Sequence, residues 1–259
     1  MTSILLPAFS LWWREMIRFY RQPARVVGVI LSPLLFWILL GAGFGDSFRG
    51  PANANLNYLD YFFPGALIMI VLFTSIFTMM SVIEDRREGF LLAVMVAPIH
   101  RSAVVLGKVL GGTSLAAIQG LIFLLFAPAI GIRFGVQQFL TVVLVVFLVA
   151  FALTAIGFAV AWTLDSTQAF HAVINLFLIP LWMLSGALFP LSSAHGWLRA
   201  IMRVNPLTYG LAALQSTLFP TQVVETSLGT SITVLAVFSA VLCAVAFVLV
   251  ERRRTLPAA

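Results

Sequence analysis

Hydrophobic residues fill six long stretches of this chain, and the charged residues fall between them. Uncharged runs of 20 residues separate Arg25 from Asp46, 23 separate Asp60 from Glu84, 24 separate Lys108 from Arg133, and 25 separate Glu225 from Glu251. The two longest, of 31 and 33 residues, lie on either side of Asp165, between Arg133 and Arg199. At about 1.5 Å rise per residue, about 20 apolar residues cover a hydrocarbon core of roughly 30 Å. Backbone groups in lipid must bond within their own segment, so each run is expected to be a helix. The pattern predicts an all-α polytopic membrane protein, one domain over 1–259, with spans at about 26–45, 61–83, 107–130, 139–162, 171–189 and 230–250.

Shorter patterns lie between the spans. Leu5, Phe9, Trp12, Met16 and Tyr20 recur at helical spacing beside a second stripe of Arg14, Arg18, Arg21 and Arg25. This predicts an amphipathic interfacial helix over 1–25, its apolar face in acyl chains and its guanidinium groups on phosphates. Two roles stand for the arginines: fixing orientation, or forming a structural elbow. The first span ends at Gly41, Gly43 and Gly45, before a loop with Asp46, Arg49 and Pro51. In the long segment after Phe189, Asn205 followed by Pro206 reads as the cap and first residue of a short outer helix. A seventh span there is disfavoured by Thr208, Gln215, Thr217 and Gln222, and it would carry the terminal arginines to the wrong side.

Composition narrows the class. With 61% hydrophobic and 9% charged residues, the chain has no room for a soluble catalytic domain. Its net charge of +6 follows topology. With a cytoplasmic N-terminus, the inner side receives Arg14, Arg18, Arg21, Arg25, Arg86, Arg87, Arg101, Lys108 and Arg252 to Arg254, and the outer side only Arg49, Arg133, Arg199 and Arg203. The positive-inside rule then places both termini in the cytoplasm of a multi-pass protein of the cell membrane. No basic segment with aromatic platforms is present to suit nucleic acid. The single Cys243 lies in the last span and excludes an intramolecular disulfide.

The stretch from Glu84 to Pro98 stands apart. Glu84, Asp85, Arg86, Arg87 and Glu88 are followed by Gly89 and an apolar run from Phe90 through Leu91 and Leu92 to Ala97. As a helix that run extends only about 12 Å, too short to span. It either docks a partner protein or lies along the membrane surface beside a solvated charged turn.

Candidate chemistry is sparse. Gly107-Lys108 lacks the spacing of a phosphate-binding loop, so an ATP site is not expected here. The predicted span interiors lack Asp, Glu, Lys and Arg, which speaks against an ion-driven relay. Gln119 and Asn175 either face a translocation path or bond between helices. Phe77 and Trp182 join them as candidate path-lining residues, although lipid-facing aromatics fit the same pattern. His100, His171 and His195 fall on different sides and do not make a metal site. No catalytic, cofactor-binding or metal-binding residue is identified.

The order of these features resembles the permease subunits of type-2 ATP-binding-cassette exporters over nearly the whole chain. The resemblance rests first on Glu84, Glu88, Gly89, Leu91, Leu92, Pro98, Leu106, Gly107 and Lys108. It rests second on Pro180, Leu184-Ser185-Gly186, Phe189-Pro190, Trp197-Leu198 and Asn205-Pro206-Leu207-Thr208-Tyr209. It implies that Glu84, Arg86, Arg87, Glu88, Gly89, Phe90, Leu91, Leu92 and Pro98 belong to a coupling helix that docks an ATPase subunit. It further implies two permease chains and two ATPase chains, with ATP and Mg²⁺ held by the ATPase. Arg18 to Ala24 is similar to the drug-and-lipid branch, which implies export of a hydrophobic or amphipathic compound. The rival readings are a polysaccharide or lipid-linked glycan exporter permease, a secondary transporter without ATP, and a membrane scaffold that docks an ATPase.

Overall fold

Each long uncharged run is helical, and several helices continue past the run into charged sequence. The computed structural model describes residues 4–44, 57–220 and 224–252. The loop with Asp46, Arg49 and Pro51 and the terminal Arg253 and Arg254 lie outside the described residues. Helices α1 (Leu5–Tyr20), α2 (Pro23–Phe44), α3 (Tyr58–Arg87), α4 (Phe90–Val96) and α5 (Arg101–Leu124) make the first half. The second half holds α6 (Val136–Thr163), α7 (Thr167–Trp182), α8 (Gly196–Val204), α9 (Pro206–Leu218) and α10 (Leu228–Arg252), and no strand occurs among the described residues. Among the described residues, six helices are long and apolar enough to cross a membrane: α2, α3, α5, α6, α10, and α7 with its continuation to Ala187.

The central post is α3. Its 30 residues extend about 45 Å, longer than a hydrocarbon core of roughly 30 Å. Phe62, Phe63, Ile68 and Ile70 are wholly buried, and α2, α5, α6 and α7 pack around the helix. By contrast, Val27, Leu31, Leu35 and Leu39 of α2 and Val237, Val241, Val245 and Val248 of α10 are exposed apolar residues, as lipid-facing helices require.

Close to Pro180, α7 gives way to a wider turn over Met183–Ala187, with Gly186 at φ 95°. Tyr61 Oη donates to the Gly186 carbonyl at 2.6 Å and Tyr58 Oη to that of Leu188 at 3.2 Å, binding this break to the start of α3. The expected cap on α9 is present. Asn205 Oδ1 accepts from the Leu207 amide at 3.0 Å, Pro206 is the first helical residue, and Asn205 Nδ2 donates to Leu181 O at 2.6 Å. Leu211, Ala213 and Leu214 of this helix are buried, with α6 and α10 packed against it.

Two expectations need correction. The first is that the guanidinium groups of Arg14 and Arg18 on α1 lie on lipid phosphates. The helix packs along α5 instead, burying Ala8, Leu11, Glu15 and Phe19, while Leu5, Phe9 and Tyr20 are exposed. Trp12 Nε1 donates to Ser114 Oγ at 3.0 Å, and Arg14 and Arg18 turn inward to carboxylates. The second is that the third span begins near Gly107, with Lys108 at its edge. Because α5 begins at Arg101, about two turns before Gly107, Lys108 lies well inside the helix with 1% of its surface exposed.

Candidate docking and coupling site

At one end of the bundle α3 runs out, turns through Glu88 and Gly89, and becomes the seven-residue α4. The turn requires a glycine. Gly89 sits at φ 77°, in the left-handed region, although a Cβ there would meet nothing within 4 Å. Conformation alone, not crowding, selects the residue. Beyond it, Leu91 is buried and Phe90 is half-buried beneath the Arg14 guanidinium, which lies 3.7 Å from the ring centroid. Leu92 and Val96 point the other way, 69% and 80% exposed, with Pro98 also exposed. The short helix is therefore seated on the chain along one face and presents an apolar ridge along the other.

Charged groups fix the base of this turn. Asp85, fully buried in the last turn of α3, accepts both Arg14 Nη atoms at 2.8 Å and Arg18 Nη1 at 2.8 Å. Arg18 Nη2 reaches Glu84 Oε2 at 2.6 Å. From α5, Lys108 Nζ donates to Asp85 Oδ2, to Glu15 Oε1 at 2.7 Å and to Ser81 Oγ at 3.0 Å. Three cations, Arg14, Arg18 and Lys108, thus balance three carboxylates, Glu15, Glu84 and Asp85. The hydrogen bonds to Asp85 push the Arg14 guanidinium above its ordinary pKa, so it stays charged.

The neighbouring Arg86 ties the turn to the opposite side. Its guanidinium donates to Trp162 O at 2.7 Å, Leu164 O at 2.8 Å and Asp165 Oδ1 at 2.7 Å, where α6 ends. Arg87 Nε donates to Asp165 O at 3.1 Å. Consecutive residues of α3 therefore grip α1 and α5 through Asp85, and the α6–α7 turn through Arg86. Of the residues assigned to docking from the sequence, Glu84, Arg86, Arg87, Phe90 and Leu91 make contacts inside the chain. Glu88, Gly89, Leu92 and Pro98 remain exposed.

The four candidate path residues do not come together on one surface. Trp182 alone lines an apolar groove of about 670 Å³ between α2, α3 and the end of α7, beside Phe36, Tyr58, Phe73 and Met183. Its Nε1 donates to Gly65 O at 2.9 Å. Phe77 stacks on Phe73 at 5.9 Å and lies 5.8 Å from His171. Asn175 faces outward on α7 beside Leu176 and Phe177. Gln119 is wholly buried within the bundle, its amide atoms without a partner among the described residues. No group of three or more His, Cys, Asp or Glu able to hold a metal occurs among the described residues.

Sequence reasoning missed the Glu15–Lys108–Asp85 cluster. Its signal was present: Ala8, Leu11, Glu15 and Phe19 form a helical stripe with a carboxylate inside it, and Gly107 and Gly111 form a matching small-residue face. A Cβ on Gly107 would fall 2.6 Å from Leu11 Cβ, and one on Gly111 3.0 Å from Glu15 Cβ.

Residues 8–219 match the ABC-2 type transporter family. The chain is 30% identical over 246 residues to a Cyanophora paradoxa protein described as a transport permease, ycf38, with 90% of this chain and 85% of that one covered. It is 24% identical over 207 residues to the daunorubicin resistance ABC transporter permease protein DrrB1 of Streptomyces coeruleorubidus, covering 78% and 71%. A Mycobacterium tuberculosis protein described as a doxorubicin resistance ABC transporter permease, DrrC, is 25% identical over 211 residues, covering 78% and 73%.

Proposed function

The chain belongs to the ABC-2 type transporter family and is a permease subunit of an ABC exporter, and from that premise we propose that it docks a separate ATPase through the exposed ridge of α4. The carrying observation is that Leu92 and Val96 stand outward on a short helix whose other face and base are fixed to α1, α3 and α5. An apolar ridge on a rigid mount fits a groove on a partner, as in helix-in-groove recognition. Arg86 and Arg87, engaged with the α6–α7 turn, serve to hold the mount.

Two such chains and two ATPases form the working unit, ATP and Mg²⁺ belong to the ATPase, and α4 faces the cytoplasm. Charge supports this orientation. Among the described residues, Arg14, Arg18, Arg21, Arg86, Arg87, Arg101 and Lys108 gather at the α4 end, while Arg133, Arg199 and Arg203 lie toward the other. The exported compound is hydrophobic or amphipathic. The aromatic groove beside Trp182 and the drug-resistance names of two relatives support that class.

Cross-linking tests the reading. With Cys243→Ser removing the only native thiol, Val96→Cys is expected to link to a co-expressed ATPase subunit carrying cysteines around its docking groove. Ser192→Cys, in the exposed segment after α7, is expected to give no link. A link from the Ser192→Cys chain, or none from Val96→Cys, contradicts docking through α4.

A further inference from the structure

The chain contains one lysine, and it is buried inside a helix of membrane-spanning length. Burial of an ammonium there is costly, so its position calls for a reason. An ion or proton relay would need an unused donor or an open acceptor. Lys108 has neither, because its three protons go to Glu15, Ser81 and Asp85, and both oxygens of Asp85 are taken by Lys108, Arg14 and Arg18. Net stability is also a weak reason, since apolar packing of the same volume serves at least as well as a buried ion pair. What the cluster does supply is a fixed register at one point where α1, α3 and α5 meet.

That point lies directly under the ridge. Asp85 is four residues before Gly89, and Arg14, which shares Asp85 with Lys108, also covers the ring of Phe90 at the start of α4. The close approach of α1 to α5 at Gly107 and Gly111 brings Glu15 within reach of the ammonium. A compact ammonium can donate in three directions, to Glu15 on α1 and to Ser81 and Asp85 on α3, where a planar guanidinium would demand more room.

Resting on α4 as the docking element, we propose that Lys108 is a positioning residue for energy coupling. It locks α1, the end of α3 and α5 into one body, so that a displacement of α4 by the ATPase reaches α5 and the bundle instead of dissipating at the turn.

The test uses the full chain with Cys243→Ser, reconstituted with its ATPase subunit in proteoliposomes. The unaltered lock must first give the Val96→Cys link and stimulate ATP hydrolysis; failure of both counts against docking itself. Lys108→Met is then expected to keep that link while stimulation falls about tenfold or more. A second variant, Glu15→Cys with Gly111→Cys, leaves Lys108 on Asp85 and replaces the α1 arm by a disulfide. Their Cβ atoms start 3.0 Å apart, about half an ångström inside the usual disulfide range. Stimulation is expected in the oxidised chain and lost on reduction, in a way that a purely structural role would not follow. This variant also decides the matter if Lys108→Met fails to insert. Undiminished stimulation by Lys108→Met, loss of its link together with its stimulation, or indifference of the second variant to reductant would overturn the proposal.

Discussion

At the scale of single residues, Asp85 carries the largest burden. Neutralising it as Asp85→Asn leaves three cations facing two carboxylates at a buried site, and removing one partner of such a cluster costs about 3–5 kcal/mol. Asp165 makes a useful contrast, because its ion pair with Arg86 has a carboxylate side 78% exposed and is worth under about 1 kcal/mol. Thermal unfolding in detergent should show a clear fall in midpoint for Asp85→Asn and little change for Asp165→Asn. Equal midpoints would mean that the buried cluster does not hold the turn. Gly89→Ala is expected to cost about 1–2 kcal/mol through its left-handed backbone alone. Its effect should be confined to α4, read as weaker cross-linking through Val96→Cys with membrane insertion unchanged. A glycine between a charged run and an apolar run is a turn signal, and the sequence reading, which placed Gly89 in the coupling helix, passed over it. The sequence did not reveal Lys108, because the helix start was placed where the charges end, and a helix can carry charges for two turns before it enters the hydrocarbon.

Among the elements, the spans were legible and the mount was not. Twenty uncharged residues suffice to announce a crossing helix, whatever it packs against. Which face of α1 meets protein is another matter. In lipid, apolar side chains gain nothing by meeting one another instead of acyl chains, so contacts are chosen by small residues and polar bonds. The strong apolar stripe of Leu5, Phe9 and Tyr20 faces outward, and the weaker stripe of Ala8, Leu11 and Glu15 faces α5. Gly107→Leu should therefore be worse than its hydrophobicity suggests. A side chain there collides with the Ala8 carbonyl as well as Leu11, and backbone cannot rotate away. Limited proteolysis around Arg21 should become faster as α1 detaches. An unchanged cleavage rate would show that α1 holds to α5 without this approach. The capped α9 was readable for the opposite reason: Asn205 and Pro206 are local signals that need no knowledge of neighbours.

Over the whole molecule, the exposed apolar ridge of α4, the ionic mount and the Arg86 tie lie at one end, and the Tyr58 and Tyr61 bonds to the α7 break lie at the other. The rigid post α3 joins the two ends. A push on α4 thus has a continuous packed route to the apolar groove beside Trp182, the arrangement a two-state exporter needs. The central claim, that this permease takes its driving force through α4, is tested most directly by ATP hydrolysis in proteoliposomes containing the ATPase subunit. The permease should raise the rate, and Leu92→Glu with Val96→Glu should return it to that of the ATPase alone while the permease remains inserted. Stimulation that survives both substitutions would contradict the account.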